Sequence, residues 1–234
     1  MIYIHESHHV IGGHMEAFLE SCKTEWKPLI EADGSARLLW FWLWAHGTGP
    51  GYRAISLIQV EDWNAWGEMV DRYQRKGSDL HDWYEGAWKH RRKVESKVTT
   101  PVEWSPIPEP PAAGQVAEHP SSIYLHDVAY PYSGGVEKYI ETLGKHYYPF
   151  LGPDRLLSME LCLRLAPGAG EPHEVTLVQK INDADAFGRL LTHGEAAHVG
   201  ADEARATNWM EVGLTVRDQW LSQVFRTVPW SPLH

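Results

Sequence analysis

The stretch 121-SSIYLHDVAYPYSGG-135 repeats, with substitutions, the stretch 2-IYIHESHHVIGGH-14 near the start of the chain. Ile2-Tyr3-Ile4-His5-Glu6 matches Ile123-Tyr124-Leu125-His126-Asp127, and Gly12-Gly13 matches Gly134-Gly135 after a one-residue slip. The correspondence continues in order. Phe18-Leu19-Glu20 answers Tyr139-Ile140-Glu141, Pro28 answers Pro149, Arg37-Leu38-Leu39 answers Arg155-Leu156-Leu157, 55-ISLIQ-59 answers 175-VTLVQ-179, and Trp104-Ser105-Pro106 answers Trp230-Ser231-Pro232. A repeat of about 120 residues is too long for a solenoid unit and reads as a duplicated small domain. The expected organisation is a first repeat over 1–106, a Pro- and Ala-rich linker over 107–120 and a second repeat over 121–234.

Composition limits what such a chain can do. With 234 residues, 43% hydrophobic, 22% charged and a net charge of -10, it reads as an acidic globular protein with a substantial core. It carries no basic stripe of the kind a phosphate backbone requires, so nucleic acid is not an expected partner. The longest apolar run, 38-LLWFWLWA-45, is too short to span a bilayer, and MIYIHESHHV lacks the features of a secretory signal. A cytoplasmic protein with no membrane partner is expected. Cys22 and Cys162, the two cysteines, are too few and too isolated for a disulfide framework or a thiolate metal site, and both are expected to be reduced.

In the first copy, a short alternating strand at 2–7 leads through a Gly-Gly turn into an amphipathic helix at about 14–27, stopped near Pro28. Strands near 36–46 and 52–60, helical stretches near 62–75 and 79–93, and a last strand near 94–100 complete a β-α-β-β-α-β unit of the ferredoxin-like kind. With this architecture and its strand-one motif, the chain resembles the dimeric α+β barrel superfamily, especially its NIPSNAP-like and EthD-like branches, over nearly its full length. The resemblance implies an α+β fold in which two tandem ferredoxin-like repeats close an intrachain barrel, with helices outside and a ligand site within. It does not name a reaction. The fold hosts cofactor-free monooxygenases, isomerases, polyketide cyclases, haem enzymes and proteins of unknown activity.

Strand alternation then selects candidate site residues. Ile2 and Ile4 share one face of the first strand and should meet the helices, which turns Tyr3 and His5 toward the other side; Tyr124 and His126 follow suit. In strand two, Leu39, Phe41 and Leu43 should oppose Trp40, Trp42, Trp44 and His46. In the second copy, Leu157, Met159, Leu161 and Leu163 should oppose Ser158, Glu160, Cys162 and Arg164. That pattern predicts a cavity with an indole wall and a polar wall. The competing reading is a Trp row that fills the interior or forms a homo-oligomer face.

Glu160 facing indoles should have a raised pKa and could shuttle protons, unless Arg164 holds it ionised in a structural pair. His5 or His126 could act as general base, with Tyr3 or Tyr124 positioning an oxygen. The N-terminal histidines lack metal-ligand spacing, so no metal and no cofactor is expected. Glu6 and Asp127 are expected at strand ends beside the helix face, and the basic run 89-KHRRK-93 on a solvated helix surface. The expected function is a small-molecule enzyme doing cofactor-independent acid-base chemistry (isomerisation, cyclisation, elimination or oxygenation) on an apolar, aromatic or polycyclic substrate. The alternatives are a haem- or metal-dependent enzyme with His5 or His126 as ligand, and a non-enzymatic NIPSNAP-like ligand- or partner-binding protein.

Overall fold

The computed structural model describes residues 1–112, 118–168, 173–193 and 209–234, and all but the side chain of His193 among them. Of the expected linker, residues 113–117 lie outside the described residues. The chain divides into two units. Unit 1 comprises Met1–Thr100, Glu109–Ser121 and Phe225–His234, and unit 2 comprises Pro101–Pro108 and Ser122–Val224. Each is an α+β, β-α-β-β-α-β arrangement, and among the described residues no helix is long and apolar enough to cross a membrane.

Unit 1 begins with β1 (Ile2–Val10), followed by α1 (Met15–Ser21), a π-helical turn (Cys22–Trp26) and α2 (Lys27–Glu31). Then come β2 (Ala36–Trp44), β3 (Arg53–Val60), α3 (Trp63–Gln74), α4 (Asp79–Gly86), a 3-10 turn (Ala87–Lys89) and β4 (Arg91–Pro101). The sheet is antiparallel in the order β4-β1-β3-β2. Asp62 and Ser78 cap α3 and α4 by accepting backbone N–H groups, as short polar side chains at helix starts do. Phe18, Trp26, Ile30, Phe41, Met69 and Leu80 fill the space between sheet and helices.

Two expectations about the helices of unit 1 are corrected. The first helix does not stop near Pro28: the Lys27 N–H reaches back five residues to the Cys22 carbonyl, and this wider turn lets the proline, which has no N–H to offer, sit inside the helical path. The run 89-KHRRK-93 is not a solvated helix surface, because β4 starts at Arg91 and buries that side chain.

Unit 2 runs through β5 (Ile123–Pro131), α5 (Val136–His146), a 3-10 turn (Tyr148–Phe150), β6 (Leu157–Leu165), β7 (Val175–Ile181), α6 (Ala184–His193), helical residues 209–214 and the first part of β8 (Arg217–Thr227). β7 pairs antiparallel with both β5 and β6, and β8 lies beside β5.

Ladder register makes the correspondence of the repeats more regular than residue similarity suggests. Ile4 stands opposite Ile58 and Leu125 opposite Gln179, and the two β-bulges fall between Leu38 and Trp40 and between Met159 and Leu161, so equivalent positions in the first three strands of each repeat are 121 apart. Gln179 therefore matches Ile58, not Gln59. Side chains in a strand alternate, so this one-residue difference turns Gln179 to the helix side, while Gln59 sits beside Tyr3 on the other face.

The bulges also correct the strand-two faces. The extra residues, Leu39 and Glu160, interrupt the alternation, so the helix-facing rows are Ala36, Leu38, Phe41 and Leu43 in β2 and Leu157, Met159 and Cys162 in β6. Leu161 and Leu163, expected on the helix side, are displaced from it, and Cys162 and Arg164 take their place.

The repeated Trp-Ser-Pro also finds its purpose. Ser105 Oγ accepts the Cys162 N–H at 2.8 Å and Val102 N–H donates to the Cys162 carbonyl at 3.0 Å. Ser231 Oγ and Val228 N–H treat Phe41 in the same way, both at 3.0 Å. The tail of each repeat thus completes a unit whose remaining strands come from the other repeat.

Candidate active site in the second unit

Leu125 and Asp127 of β5 point to the helix side of the unit 2 sheet, as alternation from Tyr124 and His126 requires. Between them and α5, α6 and helical residues 209–214 lies a cavity of about 320 Å³. Its walls are mostly aliphatic and aromatic, with Leu156, Leu157 and Leu177 from the sheet side and Phe187, Leu190 and Leu191 from α6. Its polar end is formed by Asp127, Tyr139, Tyr147, Arg217, Trp220 and Ser222.

Asp127 is 8% exposed and held from three sides. Ser222 Oγ donates to Asp127 Oδ1, Gln179 Nε2 donates to Asp127 Oδ2 at 2.8 Å, and the Trp220 indole also donates to the carboxyl. Gln179 accepts in turn from the Tyr147 hydroxyl at 2.6 Å. Burial pushes the Asp127 carboxyl above its ordinary range, while these donors and the nearby Arg217 charge pull it back. Tyr139 and Tyr147 are both pushed up, chiefly by burial, and stay phenols. The site thus offers a carboxyl that can carry or release a proton, beside a fixed cation, at the end of an apolar chamber.

Unit 1 contains the same framework around a buried core. Glu6 takes the position of Asp127, hydrogen-bonds Ser96 and is also pushed up by burial. Arg91 matches Arg217 at the first position of its strand, and Trp83 and Trp209 both stand eight residues before their arginine and stack on it. There, however, Ile30, Met69 and Leu80 are packed against the sheet, and Tyr73 accepts the Trp26 indole N–H at 2.9 Å. Both repeats thus carry the same polar framework, and in unit 1 it lies against a packed core.

None of the residues singled out from strand alternation lines this cavity. Tyr3 is buried, donates to Met1 Sδ at 3.3 Å and accepts from Gln59. His5 is partly buried, and burial with the Lys97 charge lowers it to about 4. Tyr124 and His126 are buried on the face of β5 opposite Asp127. Trp40 and Trp42 are buried and stacked, their ring centroids 5.3 Å apart at 12°. Trp44 packs edge-on against Phe225, and His46 falls beyond β2 in an exposed turn. Ser158 accepts from Asn182 at 2.7 Å, and Cys162 is buried with its thiol pushed up by burial. Glu160 is pushed up by burial and partly offset by Lys180. Arg164 does not hold Glu160 in a pair: the bulge turns it to α5, where its Nη2 meets Glu137 Oε1 at 2.7 Å.

Gln179, Arg217, Trp220 and Ser222 were not legible as site residues, although the Trp-x7-Arg spacing shared by the two repeats was a usable signal. A haem does not fit the described lining. That lining has no histidine or cysteine, Tyr147 and Tyr139 are engaged by Gln179 and Arg217, and the Met210 sulfur accepts from Arg217. Among the described residues no three His, Cys, Asp or Glu side chains converge to hold a metal ion.

Solved structures share this fold. A candidate monooxygenase from Fusobacterium nucleatum aligns over 97% of this chain and 92% of its own, with a TM-score of 0.60 and 10% identity. An anthrone oxidase-like protein aligns over 97% of this chain and 91% of its own at TM-score 0.57 and 10% identity. A variant of chlorite dismutase from Candidatus Nitrospira defluvii aligns over 98% and 92%, at 0.53 and 8%. No family model and no curated protein sequence matches the chain. The resemblance drawn from the strand-one motifs holds at the level of fold, and at these identities fold is what is shared.

Proposed function

We propose that the unit 2 cavity is the active site of an enzyme that takes a largely apolar, aromatic or polycyclic small molecule and moves a proton on it, with Asp127 as the acid-base group. The observation that carries this reading is a buried, pushed-up carboxyl at the polar end of an otherwise apolar cavity. Burial favours the neutral acid, and the donors Ser222, Trp220 and Gln179 make the carboxylate attainable. A base so poised can take a proton from an acidic C–H and return it to the same carbon or a neighbouring one. The leucine and phenylalanine walls offer the flat substrate an apolar face beside the carboxyl.

Anthrone supplies the test, since the name of one structural neighbour suggests the class and its methylene C–H is acidic. In D2O the protein should catalyse deuterium uptake at that methylene well above the buffer rate, followed by NMR. Asp127→Asn should lower the exchange rate by about a hundredfold or more while leaving anthrone binding nearly unchanged. Exchange at the buffer rate with anthrone bound would leave the cavity a binding site and remove the enzyme reading.

A further inference from the structure

Arg91 and Arg217 are an internal control for one another. Both are buried, at 2% and 5% exposure, and both stack on a tryptophan eight residues upstream. Arg91 is provided with polar partners: His8 Nδ1 at 3.2 Å, the Tyr84 carbonyl, which accepts at 3.3 Å, and the nearby Glu6 charge, with three aromatic faces around it. Arg217 has the Asp127 charge nearby, as Arg91 has Glu6, but weaker bonded company. Its contacts among the described residues are the Met210 sulfur at 3.7 Å, the Tyr139 hydroxyl, and the faces of Trp209 at 5.5 Å and Trp220 at 4.8 Å. Among those residues neither a carbonyl nor a carboxylate is bonded to it, and it lines the unit 2 cavity.

A guanidinium withdrawn from water with no anion bonded to it is costly, and aromatic faces offset only part of that cost. The missing partner has room in the cavity. We infer that Arg217 is an anion subsite, and that the molecule taken by this cavity carries an acidic oxygen, as a carboxylate, phenolate or enolate, on its aromatic framework. The planar fork of the guanidinium suits such an oxygen and would fix which edge of the substrate faces Asp127. Among the described residues the Asp127 carboxyl is bonded to Ser222, Gln179 and Trp220 and not to the guanidinium, so that place is left for the ligand.

This inference rests on the reading of the cavity as a substrate site, and a matched pair of probes separates the two. Binding of 2-naphthoate and of its neutral isostere 2-naphthamide is measured by calorimetry on the full chain, with thermal melts to confirm folding of each variant. Wild type should hold the naphthoate at least about tenfold more tightly than the amide. Arg217→Met should erase that preference while the amide binds as before, and Arg217→Lys should keep part of it. Equal affinities in wild type would overturn the anion subsite and leave the apolar cavity standing, whether or not any variant folds. Binding of neither probe, together with no binding of anthrone, would overturn the cavity reading and the subsite with it.

Discussion

Gln179 donates to Asp127 at 2.8 Å from the strand position that Ile58 occupies in the first repeat. An isoleucine there completes a packed core; the amide gives the second repeat a polar end to its cavity. It also ties Tyr147 to the carboxyl, so three residues from β5, β7 and the end of α5 share one hydrogen-bonded line.

Breaking that line should be visible in both stability and titration. Gln179→Leu removes a donor that lowers the Asp127 pKa and strands the Tyr147 hydroxyl in a buried place. We expect a loss of about 1–3 kcal/mol in urea unfolding, and a higher pH midpoint for anthrone exchange. An unchanged midpoint in a folded variant would show that Gln179 does not act on Asp127.

The two faces of the unit 2 sheet are separated by a pair of carboxyl substitutions. Asp127→Asn should abolish most exchange, whereas Glu160→Gln, away from the cavity, should leave the rate within about twofold of wild type. A hundredfold loss in Glu160→Gln would move the chemistry to the opposite face of the sheet.

His5 should contribute to the acid sensitivity of the fold. Its folded pKa, about 4, lies below the ordinary 6.5, so as pH falls the unfolded chain takes up the proton first. The stability this contributes is complete above 6.5 and is lost as pH falls toward about 4. Melting temperatures at pH 7 and pH 5 should therefore differ less in His5→Gln than in wild type; an equal difference would place the acid sensitivity elsewhere.

Ser105→Ala and Ser231→Ala should each cost about 1–3 kcal/mol, because each leaves the buried backbone N–H of Cys162 or Phe41 without its acceptor. Denaturant melts of the single variants test this, and a cost below about half a kcal/mol in both would reduce the repeated Trp-Ser-Pro to a sequence relic.

The sequence by itself determined the duplication, the β-α-β-β-α-β order of each copy and the face on which β1 and β5 carry their aliphatic residues, because all of these rest on local period and on similarity between the two halves. It also placed Asp127 beside the helices, although at a strand end, whereas Asp127 stands in the middle of β5. Two kinds of information were out of its reach. A β-bulge adds one residue with no local signature, and because side chains alternate, the bulge at Glu160 sends Cys162 and Arg164 to the helix side. For the same reason the likeness of 55-ISLIQ-59 to 175-VTLVQ-179 concealed that Gln179 stands where Ile58 does. The second kind is volume. Both repeats carry a carboxyl, a serine and an arginine stacked on a tryptophan, and only the packing of side chains from distant parts of the chain decided that Asp127 and Arg217 stand at a cavity.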